Sequence, residues 1–183
     1  MSKVLDAACF IIDVANEQEE GQISNLSVNK LLYFAQGLSL AKIGKPLFEN
    51  QIEAWDKGPV IAKIYHAYKK YGESAIPKQN YSTDSLSDED QDILLEAVAR
   101  FGKYSANELI RFTHAADGPW ALRYRSGMKN VFISQEDIRD YFIKTISVKF
   151  YDESKVVNAG IDEFGRVLLP KEIEDAWGGY DAQ

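Results

Sequence analysis

Apolar residues recur at helical spacing through most of the chain. Val4, Ala8, Ile11, Ile12 and Ala15 fall three and four apart and predict a helix from Val4 to Ala15. The polar run Glu17-Gln18-Glu19-Glu20-Gly21 marks its exit and a loop. A second helix is predicted from Val28 to about Ile43, capped by Ser27, with Gly44 just past its end. Leu31, Leu32, Phe34, Ala35, Leu38 and Ala41 make it apolar over a wide arc, which predicts a central position. Gly44-Lys45-Pro46-Leu47-Phe48 carries turn chemistry. Ile52-Glu53-Ala54-Trp55 reads either as a brief strand or as an extended approach.

Gly58-Pro59 predicts the opening of a helix from Pro59 to Tyr71, since proline at the first helical position loses no needed N–H. Gly72 ends it. The first half of the polar run from Ser74 to Asp92 reads as loop, and Ser87-Asp88-Glu89-Asp90 as the start of a helix from about Glu89 to Phe101. Ser105-Ala106-Asn107-Glu108 is a capping box for a helix to about Ala115. Gly118-Pro119-Trp120 starts a short helix, and Ser134-Gln135-Glu136-Asp137 caps another through Ile138, Tyr141, Phe142 and Ile146. About seven helices with short connections, and no alternation of strands and helices, predict a mainly α, compact bundle over residues 1–147.

After Ile146 the texture changes. Val148, Phe150, Val156, Val157, Ile161, Val167, Leu168 and Leu169 are β-prone, with Gly160 and Gly165 at turns. Residues 148–183 are therefore expected to form a small β-containing extension, with a final helical turn over Lys171 to Trp177. This extension holds 4 bases and 8 acids, so it supplies −4 of the chain's −7.

That acidity lowers the expectation of a nucleic-acid-coating protein, whose affinity comes from neutralising phosphate. The 183 residues contain one cysteine, Cys9, so no disulfide can form within the chain. No run of about 18 apolar residues suggests a spanning helix. The acid at Asp6 breaks any signal-peptide profile, and a reducing cytoplasm is the expected compartment, without membrane association.

Candidate chemistry is sparse. His114 and Asp117 lie three apart, either as a general-base pairing or with the His114 imidazole capping the terminal carbonyls of its helix. His66, His114 and Cys9 come from distant segments and make a poor metal set, so no metal is expected. Neither nucleotide-cradling glycine motif occurs, and no cofactor is expected. Tyr65, Tyr68 and Tyr71 interleave with Lys63, Lys69 and Lys70, either as a stacking face for a single strand or as a helix anchor with a wet side. Residues 100–129 form the most basic stretch, with six bases against Glu108 and Asp117; it reads as a receptor for an acidic partner or as plain surface. Lys30 and Glu53 are expected to pair between a helix and the segment after it. The residues thus describe a mostly helical binding protein without a visible catalytic engine.

Several segments, taken in order, resemble the Panacea domain, the antitoxin family also called SocA-like or phage-associated. They are Lys30-Leu31-Leu32-Tyr33-Phe34-Ala35-Gln36-Gly37, Gly44-Lys45-Pro46-Leu47-Phe48, Ile52-Glu53-Ala54-Trp55, Gly58-Pro59-Val60, Tyr65-His66-Ala67-Tyr68, Tyr71-Gly72, Leu109 to His114, Pro119-Trp120 and Tyr141-Phe142. The resemblance runs over roughly residues 3 to 146. It implies an antitoxin that binds a cognate protein toxin, encoded next door, with no enzymatic activity. One branch of the family delivers its toxin to an ATP-dependent protease. The shared residues Lys30, Tyr33, Glu53, Trp55, Gly58, Pro59, Tyr65, Tyr68, His114, Pro119 and Trp120 are expected to hold the fold, because family-wide residues suit partner choice poorly when partners differ. A homo-oligomer is also compatible with the resemblance.

The tail has a second, partial resemblance. Ile161-Asp162-Glu163-Phe164-Gly165-Arg166-Val167-Leu168-Leu169-Pro170-Lys171-Glu172-Ile173 is similar to the first half of the AbrB-type swapped-hairpin DNA-binding domain. The later strands of that domain are absent. Phe164, Arg166, Val167, Leu169 and Lys171 are the candidate contacts, to the toxin or to DNA.

Overall fold

The computed structural model of the chain describes residues 2–17 and 23–150, the last five by their helical backbone alone. The second helix dictates the architecture. Its sequence is apolar on nearly every side, so a stable fold must surround it. Helix α1 (Lys3–Asn16) precedes it, and α2 itself spans Asn25–Lys42. A hairpin follows, with β1 (Ile52–Trp55) and β2 (Gly58–Val60), then α3 (Ala62–Tyr68) and a 3-10 turn over Lys69–Tyr71. Helices α4 (Asp88–Phe101), α5 (Ala106–Thr113) and α6 (Pro119–Arg123), strand β3 (Phe132–Ile133) and helix α7 (Gln135–Phe150) complete the described chain. Helices α1, α3, α4, α5 and α7, and strand β2, all pack on α2. The fold is mainly α, as its periodicity predicts.

The core lies along α2. Val28, Leu32, Phe34 and Ala35 are wholly buried, and Tyr33 is 2% exposed. Phe34 stacks on Phe101 of α4 at 4.1 Å between ring centroids, and Tyr33 meets Phe142 of α7 edge-on at 5.7 Å. Gly37 of α2 faces Phe142 of α7, and an added Cβ there would run into the Phe142 ring.

The helix starts follow local chemistry. Ser87 and Ser105 each form a full capping box, with Asp90 and Glu108 reaching back to the cap. The Asp137 N–H donates to Ser134 Oγ at 3.0 Å, which starts α7. For α2 the cap is Ser24 rather than Ser27: the Ser27 N–H donates to Ser24 Oγ at 3.3 Å. Either serine has suitable chemistry, and the earlier start brings Asn25 into the helix beside Asn29, where both are buried.

Two other expectations are corrected. Gly58-Pro59 does not open a helix; it forms β2, with Trp55 opposite Gly58, Ala54 opposite Pro59 and Glu53 opposite Val60. Pro59 is tolerated because β2 is an edge strand, and α3 begins only at Ala62. Of the two readings of Ile52–Trp55, the brief strand is the one found. A three-stranded antiparallel sheet of order β2-β1-β3 sits inside the helical body. Helix α7 also runs through Val148 and Phe150, which the β-prone texture had assigned to the extension. No glycine or proline interrupts it, and β-branched residues weaken a helix only slightly. The predicted strands and helical turn of the tail lie outside the described residues.

Candidate functional site

The Panacea-like motif residues converge where α2 meets the hairpin. Polar side chains from one face of α2 reach across and hold its backbone. Lys30, 1% exposed, donates from Nζ to the Pro59 carbonyl at 2.9 Å. The Ile61 N–H donates to Asn29 Oδ1 at 2.9 Å, and Asn25 Nδ2 donates to the Tyr65 carbonyl at 3.1 Å. Nearly two turns further on, Gln36 donates to the Phe48 carbonyl at 3.0 Å and accepts from the Phe48 N–H at 3.1 Å. Buried polar groups are tolerated when bonded in this way.

Gly58 makes the junction possible. Its φ is +97°, which disfavours any residue with a side chain. A Cβ there would lie 2.6 Å from Thr113 Oγ1 and 2.7 Å from Lys30 Nζ. Thr113 ends α5 and donates its hydroxyl to the Ile110 carbonyl at 2.9 Å.

Aromatic rings close the other side. His114 lies flat on Trp120, with centroids 3.6 Å apart and planes 3° apart, and Tyr124 stacks on Trp120 at 4.5 Å. Trp120 Nε1 donates to the Trp55 carbonyl at 2.8 Å, joining α6 to β1. Trp55 Nε1 donates to Glu53 Oε2 at 2.8 Å, and Tyr65 meets the Trp55 ring edge-on at 4.8 Å. Tyr124 donates its hydroxyl to Asp56 Oδ1 at 2.9 Å.

The electrostatics follow from burial. Among the described residues no carboxylate pairs with Lys30, and desolvation pulls its ammonium down to about 7. His114 is also lowered, first by burial and then by the Lys30 charge. Its Nε2 is buried without a hydrogen-bond partner among the described residues.

The arrangement corrects two pairings. Lys30 and Glu53 do not form an ion pair; Lys30 takes the Pro59 carbonyl and Glu53 takes the Trp55 indole. His114 and Asp117 do not form a dyad. The His114 ring stacks on Trp120, while Asp117 faces Lys144 at 3.5 Å. His114 closes α5 through its backbone N–H to Ile110 and Arg111; the expected imidazole cap is not found, because the ring is turned onto Trp120.

The other sequence-derived residues fall as follows. Tyr68 is buried, with its hydroxyl 3.3 Å from Cys9 Sγ, and burial raises both groups. Lys63, Lys69 and Lys70 are exposed, so Tyr68 is the helix anchor and takes no part in a stacking face, while Tyr65 is 37% exposed and Lys70 Nζ lies 4.9 Å from the Tyr71 ring centroid. Pro119 is buried at the start of α6. Phe164, Arg166, Val167, Leu169 and Lys171 lie outside the described residues. Asn25, Asn29, Gln36 and Thr113 were not singled out from sequence. Their signal was the occurrence of polar residues within an otherwise apolar helical arc.

This is the interior joint of a helical module, built from a buried lysine, a left-handed glycine and an indole stacked with the His114 and Tyr124 rings. The chain belongs to the antitoxin SocA-like, Panacea domain family, whose model matches residues 28–121. That match runs from α2 to α6, a narrower span than residues 3 to 146. The chain is 37% identical over 109 residues to Antitoxin SocA of Caulobacter vibrioides (strain NA1000 / CB15N), covering 54% of this chain and 58% of that protein. It therefore spans less than two thirds of that relative's length. No solved structure matches the chain. Among the described residues no helix is long and apolar enough to cross a membrane.

Proposed function

We propose that the protein is the antitoxin of a type II toxin–antitoxin pair and neutralises a cognate protein toxin by direct binding, without enzymatic activity. The observation that carries this reading is membership of the SocA-like Panacea family, together with the identity to a protein named Antitoxin SocA. The geometry is compatible with it. Lys30, Gly58, Pro59 and Trp120 are spent on the joint and buried, which leaves partner choice to surfaces outside the motif. Inhibition then works by covering the toxin's working surface in a stoichiometric cytoplasmic complex.

The test is growth on inducing the adjacent small open reading frame, with and without this protein, and a tagged pull-down from the co-expressing cells. Growth arrest relieved by this protein, with the neighbour co-purifying, is the expected result. A harmless neighbour that does not co-purify overturns the reading. A toxin that disappears faster when the two are co-expressed would assign delivery to an ATP-dependent protease instead of simple capture.

A second reading is autoregulation through DNA, supported by the Ile-Asp-x-x-Gly-Arg-Val-x-Leu-Pro-Lys-x-Ile pattern of residues 161–173. Substituting Arg166 and Lys171 should then abolish operator retention in a gel shift and leave toxin neutralisation intact. Retention unaffected by both changes removes this reading.

A further inference from the structure

Residues 122–132, which join α6 to β3, combine exposed apolar side chains with unpaired positive charge. Leu122 is 56% exposed, Met128 62% and Phe132 42%. Helix α6 touches β3, so this short segment folds into one local surface. From Gly118 to Gln135 the chain has no acid, against Arg123, Arg125 and Lys129. Arg123 is held by Asp137 at 2.5 Å. Arg125 reaches only the Leu122 and Tyr124 carbonyls, and Lys129 makes no ion pair among the described residues. Strand β3 is, like β2, an edge strand of the sheet, and among the described residues no strand lies beyond it. An edge of this kind offers unpaired backbone groups to an added strand.

We propose that this surface is the docking site of the chain's own residues 151–183. Charge is the first argument. Those 33 residues carry 8 acids and 3 bases, a balance of 3 − 8 = −5, and so hold most of the chain's −7. The second is composition. Val156-Val157 and Val167-Leu168-Leu169 are strand-forming residues that suit the free edge of β3, and Phe164 and Trp177 are apolar complements to Leu122 and Met128. Reach is the third. The segment leaves from Phe150, 16 residues of helix after β3. That helix is about 24 Å long, while an extended chain covers roughly 3.3 Å per residue and returns with length to spare. Tethering raises the local concentration of the segment to about the millimolar range, so a modest contact suffices. A partner using the same face must first displace the segment. The inference does not depend on the antitoxin reading, and its test needs no toxin.

The test uses the dilute full-length protein. A zero-length carbodiimide joins a lysine to a carboxylate already in contact, and the monomer band is then mapped by mass spectrometry. Lys129 linked to an acid within residues 151–183 is the expected product. Hydrogen exchange supplies the second readout. The Arg125→Glu, Lys129→Glu double variant should speed amide exchange in 151–183 several-fold and leave α2 unchanged. Phe132→Ser should do the same through the apolar contact. Absence of the link from the monomer, with the same tail exchange in wild type and both variants, overturns the proposal. Links confined to the dimer band overturn it in favour of a second copy. A link that appears only after a partner protein is added overturns it in favour of a partner surface.

Discussion

At the scale of single residues, Lys30 and Gly58 carry the clearest consequences. The folded protein releases the Lys30 proton above about 7, whereas the unfolded chain keeps it to the ordinary lysine range near 10.4. Between those limits the unfolded state binds more protons, so this group makes stability rise with pH. Lys30→Met should remove a slope of up to about 1.4 kcal/mol per pH unit. Urea unfolding of both proteins between pH 7 and 9 reads the difference directly, and equal slopes would refute it. The same variant removes a positive charge that lowers His114, so His114 should titrate at higher pH by NMR. Gly58→Ala imposes both a left-handed φ and two close contacts, and should cost about 2–4 kcal/mol. Thermal unfolding checks this; combination with Thr113→Ala should restore part of the loss, since Thr113 Oγ1 is one of the two obstructing atoms.

At the scale of elements, the contact between α2 and α7 turns on Gly37 and Phe142. Gly37→Ala favours the isolated helix by about 0.5–1 kcal/mol, yet it drives a methyl group into the Phe142 ring. The packing effect should win, with a net loss of about 1–3 kcal/mol. Denaturant unfolding gives the sign, and a stabilised variant would contradict the packing described here. The helix starts at Ser87, Ser105 and Ser134 were legible in sequence because a cap is completed within four residues. Gly58-Pro59 misled because proline after glycine is a helix-start signal whose local form is the same in an edge strand. Only pairing with Ile52–Trp55, itself joined to Phe132–Ile133 about 80 residues on, decides for a strand.

At the scale of the whole molecule, charge and family membership set the expected behaviour. On the antitoxin function proposed above, a net charge of −7 should speed encounter with a toxin of opposite charge, and raised salt should slow association more than dissociation. Stopped-flow association at low and high salt tests this; a rate indifferent to salt removes electrostatic steering from the account. The sequence by itself determined the mainly helical class, the central place of α2 and the Panacea resemblance. These rest on periodicity, capping and short ordered motifs, all read along the chain. Only the tertiary structure decided the partners of the motif residues. Lys30 binds a carbonyl rather than Glu53, His114 lies on Trp120 rather than beside Asp117, and Asn29 clamps the start of α3. The physical reason is that a buried polar group takes whichever complement the packing of distant segments brings within about 3 Å, and no spacing along the chain encodes that choice.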